Sequence, residues 1–167
     1  TVRFMHLKPA EDGPAVEAAI RRVVDRGWYV LGPEVDAFEQ AFAGACGAAH
    51  AIGVGTGTDA IAIILRGLGI GAGDEVITTP VSAAYTALAC MMVGARPVFA
   101  DIDPRRLTID PAAIDAAVTP RTAAVLPVHL YGQPADMPAI MSIAAARGLA
   151  VVEDCCQAHL ATCGGRP

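Results

Sequence analysis

The chain is 167 residues long, 54% hydrophobic and 17% charged, with a formal net charge of −5. This composition supplies one ordinary domain with a sizeable core and excludes a disordered segment. It also argues against a nucleic-acid partner, since 12 scattered basic residues stand against 17 acidic ones.

No membrane segment is expected, because the longest apolar stretch, 82–95, carries Ser82, Thr86 and Gly94 and is too short to span a bilayer. No cationic start followed by an apolar core opens the chain, which makes a cytoplasmic protein the expectation. The five cysteines (Cys46, Cys90, Cys155, Cys156 and Cys163) show no metal-ligand spacing, so no metal site is expected. They read as reduced thiols, each a small buried hydrophobe rather than a catalytic group.

Val16, Ala19, Ile20 and Val23 recur at helical spacing and predict a helix over 13–26, stopped by Gly27. After a break at 27–33, Val35, Phe38 and Phe42 resume a helix that ends around 44–47. An alternation follows: strand near 51–54, helix 58–68, strand 75–78, helix 83–93, strand 97–101, helix 111–118, strand 123–128, helix 136–147 and strand 150–153. Elements of these lengths predict an α/β fold with three layers, a parallel sheet with helices on both faces. The punctuation agrees: Gly69, Gly71 and Gly73 close one helix, Asp110-Pro111 opens another and Gly148 ends the last.

In such a sheet, ligands bind beyond the carboxyl ends of the strands. Those ends carry residues 55–58, 79–85, 101–103, 129–133 and 154–159. The run Gly55-Thr56-Gly57-Thr58-Asp59-Ala60 is a glycine-rich turn leading into a helix. Backbone N–H groups and the helix dipole favour an anion there, and Thr56 and Thr58 add hydroxyl donors, so the turn fits a phosphate socket. It fits an ordinary helix cap equally well. Asp154 closes the run Ala150-Val151-Val152-Glu153 and puts a carboxylate at a strand mouth. Buried there, it needs a cation or a protonated nitrogen as partner, unless it serves as a cap for the next segment. A carboxylate combined with a phosphate socket fits pyridoxal phosphate, whose pyridinium nitrogen an Asp keeps protonated so that the ring accepts electrons.

Blocks in fixed order carry a resemblance over roughly 27–167: Gly27-Trp28-Tyr29-Val30-Leu31-Gly32-Pro33, the turn at 55–60, Gly73-Asp74-Glu75-Val76-Ile77, Gly94-Ala95-Arg96-Pro97-Val98-Phe99, Asp101-Ile102-Asp103-Pro104, Thr119-Pro120-Arg121-Thr122, Pro127-Val128-His129-Leu130-Tyr131-Gly132-Gln133-Pro134-Ala135-Asp136 and Glu153-Asp154-Cys155-Cys156-Gln157-Ala158-His159. The sequence resembles the DegT/DnrJ/EryC1/StrS aminotransferases, fold type I pyridoxal phosphate enzymes that act on nucleotide-linked keto sugars. The resemblance implies that Gly57 and Thr58, with Thr56, bind the cofactor phosphate, that Asp154 holds the pyridinium nitrogen, and that Gln157 lies beside the ring hydroxyl. His129 falls in a block lining the active-site side of the sheet, as a catalytic group or as a satisfied structural histidine. The ring-stacking position falls on Ala84; Tyr85, one residue on, supplies the ring face if the turn is shifted, or else packs in the core. Glutamate or glutamine as amino donor, a pyridoxamine phosphate form during turnover and a homodimer are implied as well.

Two things the resemblance calls for are missing. The chain's one lysine is Lys8, away from the expected site, whereas the family's Schiff-base lysine lies in a later block. In fold type I sheets the strands run in the order third, second, fourth, fifth, sixth, seventh, first, and only the first five have counterparts here. The N–H and C=O groups of the strand near 51–54 would then be unpaired. The expectation is an incomplete aminotransferase large domain, not catalytically competent alone, in which 1–34 form an N-terminal helix and arm and 35–167 the N-terminal part of the cofactor-binding large domain. Two other readings fit the same residues: a pyridoxamine phosphate-dependent sugar dehydratase of the same family, in which another residue replaces the lysine, and a nonenzymatic α/β module for a phosphorylated ligand.

Overall fold

A computed structural model describes residues 12–165, and Lys8 lies outside the described residues. Those residues form two compact units that divide between Gly53 and Val54. The first contains α1 (Gly13–Arg26) and α2 (Pro33–Ala45), as the apolar spacing predicts. Gly27 ends α1 at φ 67°, a left-handed conformation that a residue with a Cβ resists, and its N–H closes on the Val23 and Val24 carbonyls. Pro33 opens α2 at a position where its missing N–H would have no partner anyway. Next to it Glu34 accepts Arg22 Nε at 3.2 Å and Nη2 at 3.1 Å, linking the two helices.

The expected strand over 51–54 does not form. The Gly53 N–H donates to Glu39 Oε1 at 2.6 Å rather than to a ladder, and Ile52 is 81% exposed. A strand exists only through a hydrogen-bonded neighbour, and none of the described strands pairs with this segment.

In the second unit the predicted alternation holds: α3 (Gly57–Gly67), β1 (Glu75–Thr78), α4 (Tyr85–Met92), β2 (Arg96–Phe99), α5 (Pro111–Ala117), β3 (Thr122–Val125), α6 (Met137–Arg147) and β4 (Ala150–Val151). All pairings are parallel, in the order β2-β1-β3-β4, the succession expected for the second to fifth strands. Successive strand residues point to opposite faces. Val76 and Ala124 therefore pack with Leu65 of α3 and Ala89 of α4, while Ile77 and Val125 pack with Ile114 of α5 and Ile140 of α6. The sheet is the middle of three layers.

β2 and β3 flank β1 on opposite sides, so the direction in which the chain builds the sheet reverses there. A crevice opens at such a switch point, beyond the carboxyl ends of the strands.

The amino-terminal edge is tied together by one carboxylate. Glu75, wholly buried, accepts Arg96 Nη2 at 2.6 Å, the Thr119 hydroxyl at 2.7 Å and Arg121 Nε at 2.8 Å, joining the starts of β1, β2 and β3. These hydrogen bonds, that from Arg96 foremost, hold its carboxyl at about 2, against an ordinary value of 4.5. The folded value is the lower one, so the stabilisation is complete above pH 4.5 and is lost as the pH falls toward 2. Glu75→Gln should lower the thermal midpoint at neutral pH and flatten its decline across that acid window, followed by circular dichroism. A variant whose acid decline matches the wild type would contradict the carboxylate's role.

Candidate functional site

A cavity of about 410 Å³ lies at the switch point, within the second unit. Thr56, Gly57 and Thr58 reach it from the start of α3; Ser82, Ala83, Tyr85 and Thr86 from the entry to α4; Val128, Asp154, Cys156 and Gln157 from beyond β3 and β4. Its volume lies in the range of sites that hold one small cofactor.

At the start of α3, Thr56 is an N-cap: its Oγ1 accepts the Asp59 N–H at 3.1 Å and donates to Asp59 Oδ2 at 2.8 Å. The hydroxyl is thus used locally, as the cap reading requires. The cap leaves donors over, however, because the N–H groups of Gly57 and Thr58 have no hydrogen-bond partner among the described residues. Gly57 also permits a close approach, since a Cβ there would lie 3.3 Å from Cys156 Sγ.

Asp154 is fixed by the resumption of the β3–β4 ladder past the end of β4, where Val128 and Asp154 form a parallel bridge. Its N–H donates to the Pro127 carbonyl at 3.0 Å and its own carbonyl accepts the His129 N–H at 3.0 Å. The residue is only 9% exposed, with Oδ2 accepting the Thr86 hydroxyl at 3.0 Å and Oδ1 the Cys156 N–H at 3.2 Å. Among the described residues no lysine, arginine or histidine forms an ion pair with it. A buried carboxylate without a cation, at a cavity wall, is complementary to a ligand that brings positive charge.

Gln157 is oriented by a tight turn. Tyr131 and Gly132 are both left-handed, at φ 55° and 79°, and the Tyr131 N–H donates to Gln157 Oε1 at 3.3 Å while the Gly132 N–H donates to the Gln157 carbonyl at 3.0 Å. With its oxygen engaged, the carboxamide keeps its NH2 donors for other partners. Tyr85, the first residue of α4, lines the cavity and is 65% exposed, which rules out core packing as its account. Ala84 does not line the cavity.

His129 stays outside. Val128 faces the cavity, so alternation turns the next side chain away, into a site 3% exposed where Nδ1 accepts the Ala135 N–H at 3.1 Å and Nε2 lies 2.9 Å from Glu153 Oε2. Burial, the largest influence on the ring, disfavours a charge on it. A second ring proton would sit on Nδ1 facing the Ala135 N–H, so the hydrogen bonds hold the neutral ring with its proton on Nε2. That tautomer also leaves Nε2 without a lone pair for a metal, although His129, Glu153 and Cys155 offer ligand atoms within 4.8 Å of one another.

The structure thus brings Thr56, Gly57, Thr58, Tyr85, Asp154 and Gln157 to one cavity. Residues 101–103 do not join them; the Asp103 carboxylate instead accepts the Arg105 N–H at 2.7 Å and the Arg106 N–H at 3.3 Å. Of the cysteines, Cys90 is buried as expected, but Cys155 and Cys156 are exposed. They follow β4 in a turn rather than a strand, which leaves no second layer to cover them. Desolvation and the adjoining Asp154 carboxylate push the Cys156 thiol up to about 11, so it is no nucleophile at neutral pH. No helix among the described residues is long and apolar enough to cross a membrane.

The DegT/DnrJ/EryC1/StrS aminotransferase family matches residues 11–167. The chain belongs to this family. It is 48% identical to the dTDP-3-amino-3,4,6-trideoxy-alpha-D-glucose transaminase of Streptomyces venezuelae, over 99% of this chain and 44% of that protein. Among solved structures, S. venezuelae DesV in complex with a ketimine intermediate is similar at a TM-score of 0.86 and 49% identity, over 89% of this chain and 40% of that one. NtdA from Bacillus subtilis with bound cofactor PMP gives a TM-score of 0.88 at 36% identity, over 93% and 37%. The chain spans less than half the length of each of these relatives.

Thr56→Ala should cost about 1 kcal/mol through loss of the cap. Urea unfolding measures it, and faster amide exchange confined to the first turn of α3 identifies the cause.

Proposed function

We propose that this chain carries the phosphate- and pyridinium-binding part of a pyridoxal phosphate-dependent aminotransferase for nucleotide-linked keto sugars. The observation that carries the reading is Asp154, a buried carboxylate that shares a cavity with two N–H groups at the start of α3, the acid without a cation and the N–H groups without an acceptor among the described residues. An anion at one wall and a protonated ring nitrogen at another would satisfy both. The Gly57 and Thr58 N–H groups and the Thr58 hydroxyl bind the phosphate, with the Thr56 cap fixing the turn that presents them. Asp154 holds the ring nitrogen protonated, Tyr85 covers a ring face and Gln157 offers its NH2 to the ring hydroxyl. Bound in this way, the cofactor supplies an electron sink for the amino-transfer chemistry. His129 fixes the loop before Asp154 through Glu153 and Ala135 and moves no proton.

The sequence has one lysine, Lys8, which lies outside the described residues. In this reading the lysine that moves protons comes from outside these 167 residues, glutamate or glutamine is the amino donor, and the complete enzyme is a cytoplasmic homodimer. Kinship with sugar transaminases at 48% identity supports the substrate class.

Pyridoxamine phosphate should raise the chain's thermal midpoint, because a ligand that binds only the native state shifts unfolding by mass action. Asp154→Ala should weaken binding at least about tenfold, the cost of losing a charged hydrogen bond; a wild-type midpoint indifferent to the ligand would refute the reading. Borohydride reduction in the presence of pyridoxal phosphate should label Lys8 or the N-terminal amine alone, as peptide mass mapping would reveal.

A further inference from the structure

Thr86 is the one polar side chain on α4 besides Tyr85, and it is 2% exposed in a helix otherwise made of apolar residues. A buried helical threonine ordinarily returns its hydroxyl to a carbonyl one turn back. Here the hydroxyl crosses to Asp154 Oδ2 at 3.0 Å, 68 residues further along the chain. The other carboxylate oxygen accepts the Cys156 N–H at 3.2 Å. Asp154 is therefore held at both oxygens, Oδ2 by the Thr86 hydroxyl and Oδ1 by the Cys156 N–H. Each oxygen keeps lone-pair capacity on the side the protein does not use, and both Thr86 and Asp154 line the cavity.

We propose that Thr86 is a positioning residue for Asp154: its hydroxyl fixes the rotation of the carboxylate and holds Oδ2 ready to accept the ring N–H of a bound pyridoxamine or pyridoxal phosphate. The inference rests on the reading of Asp154 given above. It assigns to α4 a function beyond packing, since the helix that brings Tyr85 to the cavity also sets the angle of the acidic group opposite. Without the hydroxyl, the carboxylate is anchored through Oδ1 alone and turns about that bond, and the ring proton loses its aligned acceptor.

The test uses the full chain, pyridoxamine phosphate enriched in ¹⁵N at the ring nitrogen, and four substitutions: Thr86→Ser, Thr86→Ala, Thr86→Val and Asp154→Asn. Dissociation constants come from calorimetry and ring protonation from the ¹⁵N shift of the bound cofactor. Thr86→Ala and Thr86→Val should weaken binding about tenfold, in line with a hydrogen bond to a charged group, and move the ¹⁵N signal toward the unprotonated form. Thr86→Ser keeps the hydroxyl and should stay within about threefold of wild type with the protonated signal, although it loses the methyl packing just as Ala does. A merely structural threonine would lower the melting temperature in all three and leave the ¹⁵N signal in place, which would overturn the inference. Should the Ala and Val variants not fold, the wild-type Thr86 hydroxyl proton gives the answer: a shift on ligand binding supports the role, and an unchanged resonance overturns it. Loss of binding in Asp154→Asn with normal behaviour in Thr86→Ala defeats this inference alone. A wild type that does not bind, or an Asp154→Asn variant that binds like wild type, defeats the reading of Asp154 and the inference with it.

Discussion

The parallel pairing of β1 with β3 is the contact on which the rest is built. Parallel strands must all begin at one edge and end at the other, so every crossover helix starts near the same rim. With β2 on the far side of β1, the crossovers pass over opposite faces and part where β1 and β3 meet. The gap is filled by whatever follows the strand ends, and here that is Ser82 to Thr86 on one side and Asp154 to Gln157 on the other. The cavity is a consequence of topology before it is a consequence of any side chain.

The two edges of the sheet handle buried carboxylates in opposite ways. At the amino-terminal edge Glu75 is surrounded by two guanidinium groups and a hydroxyl, and its charge is fully answered within the protein. At the carboxyl-terminal edge Asp154 has a hydroxyl and an amide, both neutral. The first arrangement closes the fold; the second leaves an electrostatic demand for something else to meet. The contrast separates a carboxylate paired with cations from one paired with neutral donors within one sheet.

Much of this could be read from the sequence, for reasons that are local. The helix over 13–26 and its glycine stop follow from spacing and one φ angle, and the alternating elements follow from period and punctuation. The strand near 51–54 did not follow, because strand formation depends on a neighbour that no local pattern records. His129 could be read either way for a related reason: Val128 of its block faces the cavity, and alternation sends the next side chain to the other face. Thr86 was visible only as a polar residue in an apolar helix. Its partner lies 68 residues away, a distance at which pattern reading has no purchase. Tyr85 could be placed only once the helix start was known to the residue.

A Cβ added at position 57 would lie 3.3 Å from the Cys156 sulfur, which couples these two sites sterically. A side chain at 57 must displace the sulfur by a few tenths of an ångström, and that sulfur sits two residues from the acid at the cavity wall. In any redesign of the pocket the two positions are best varied together.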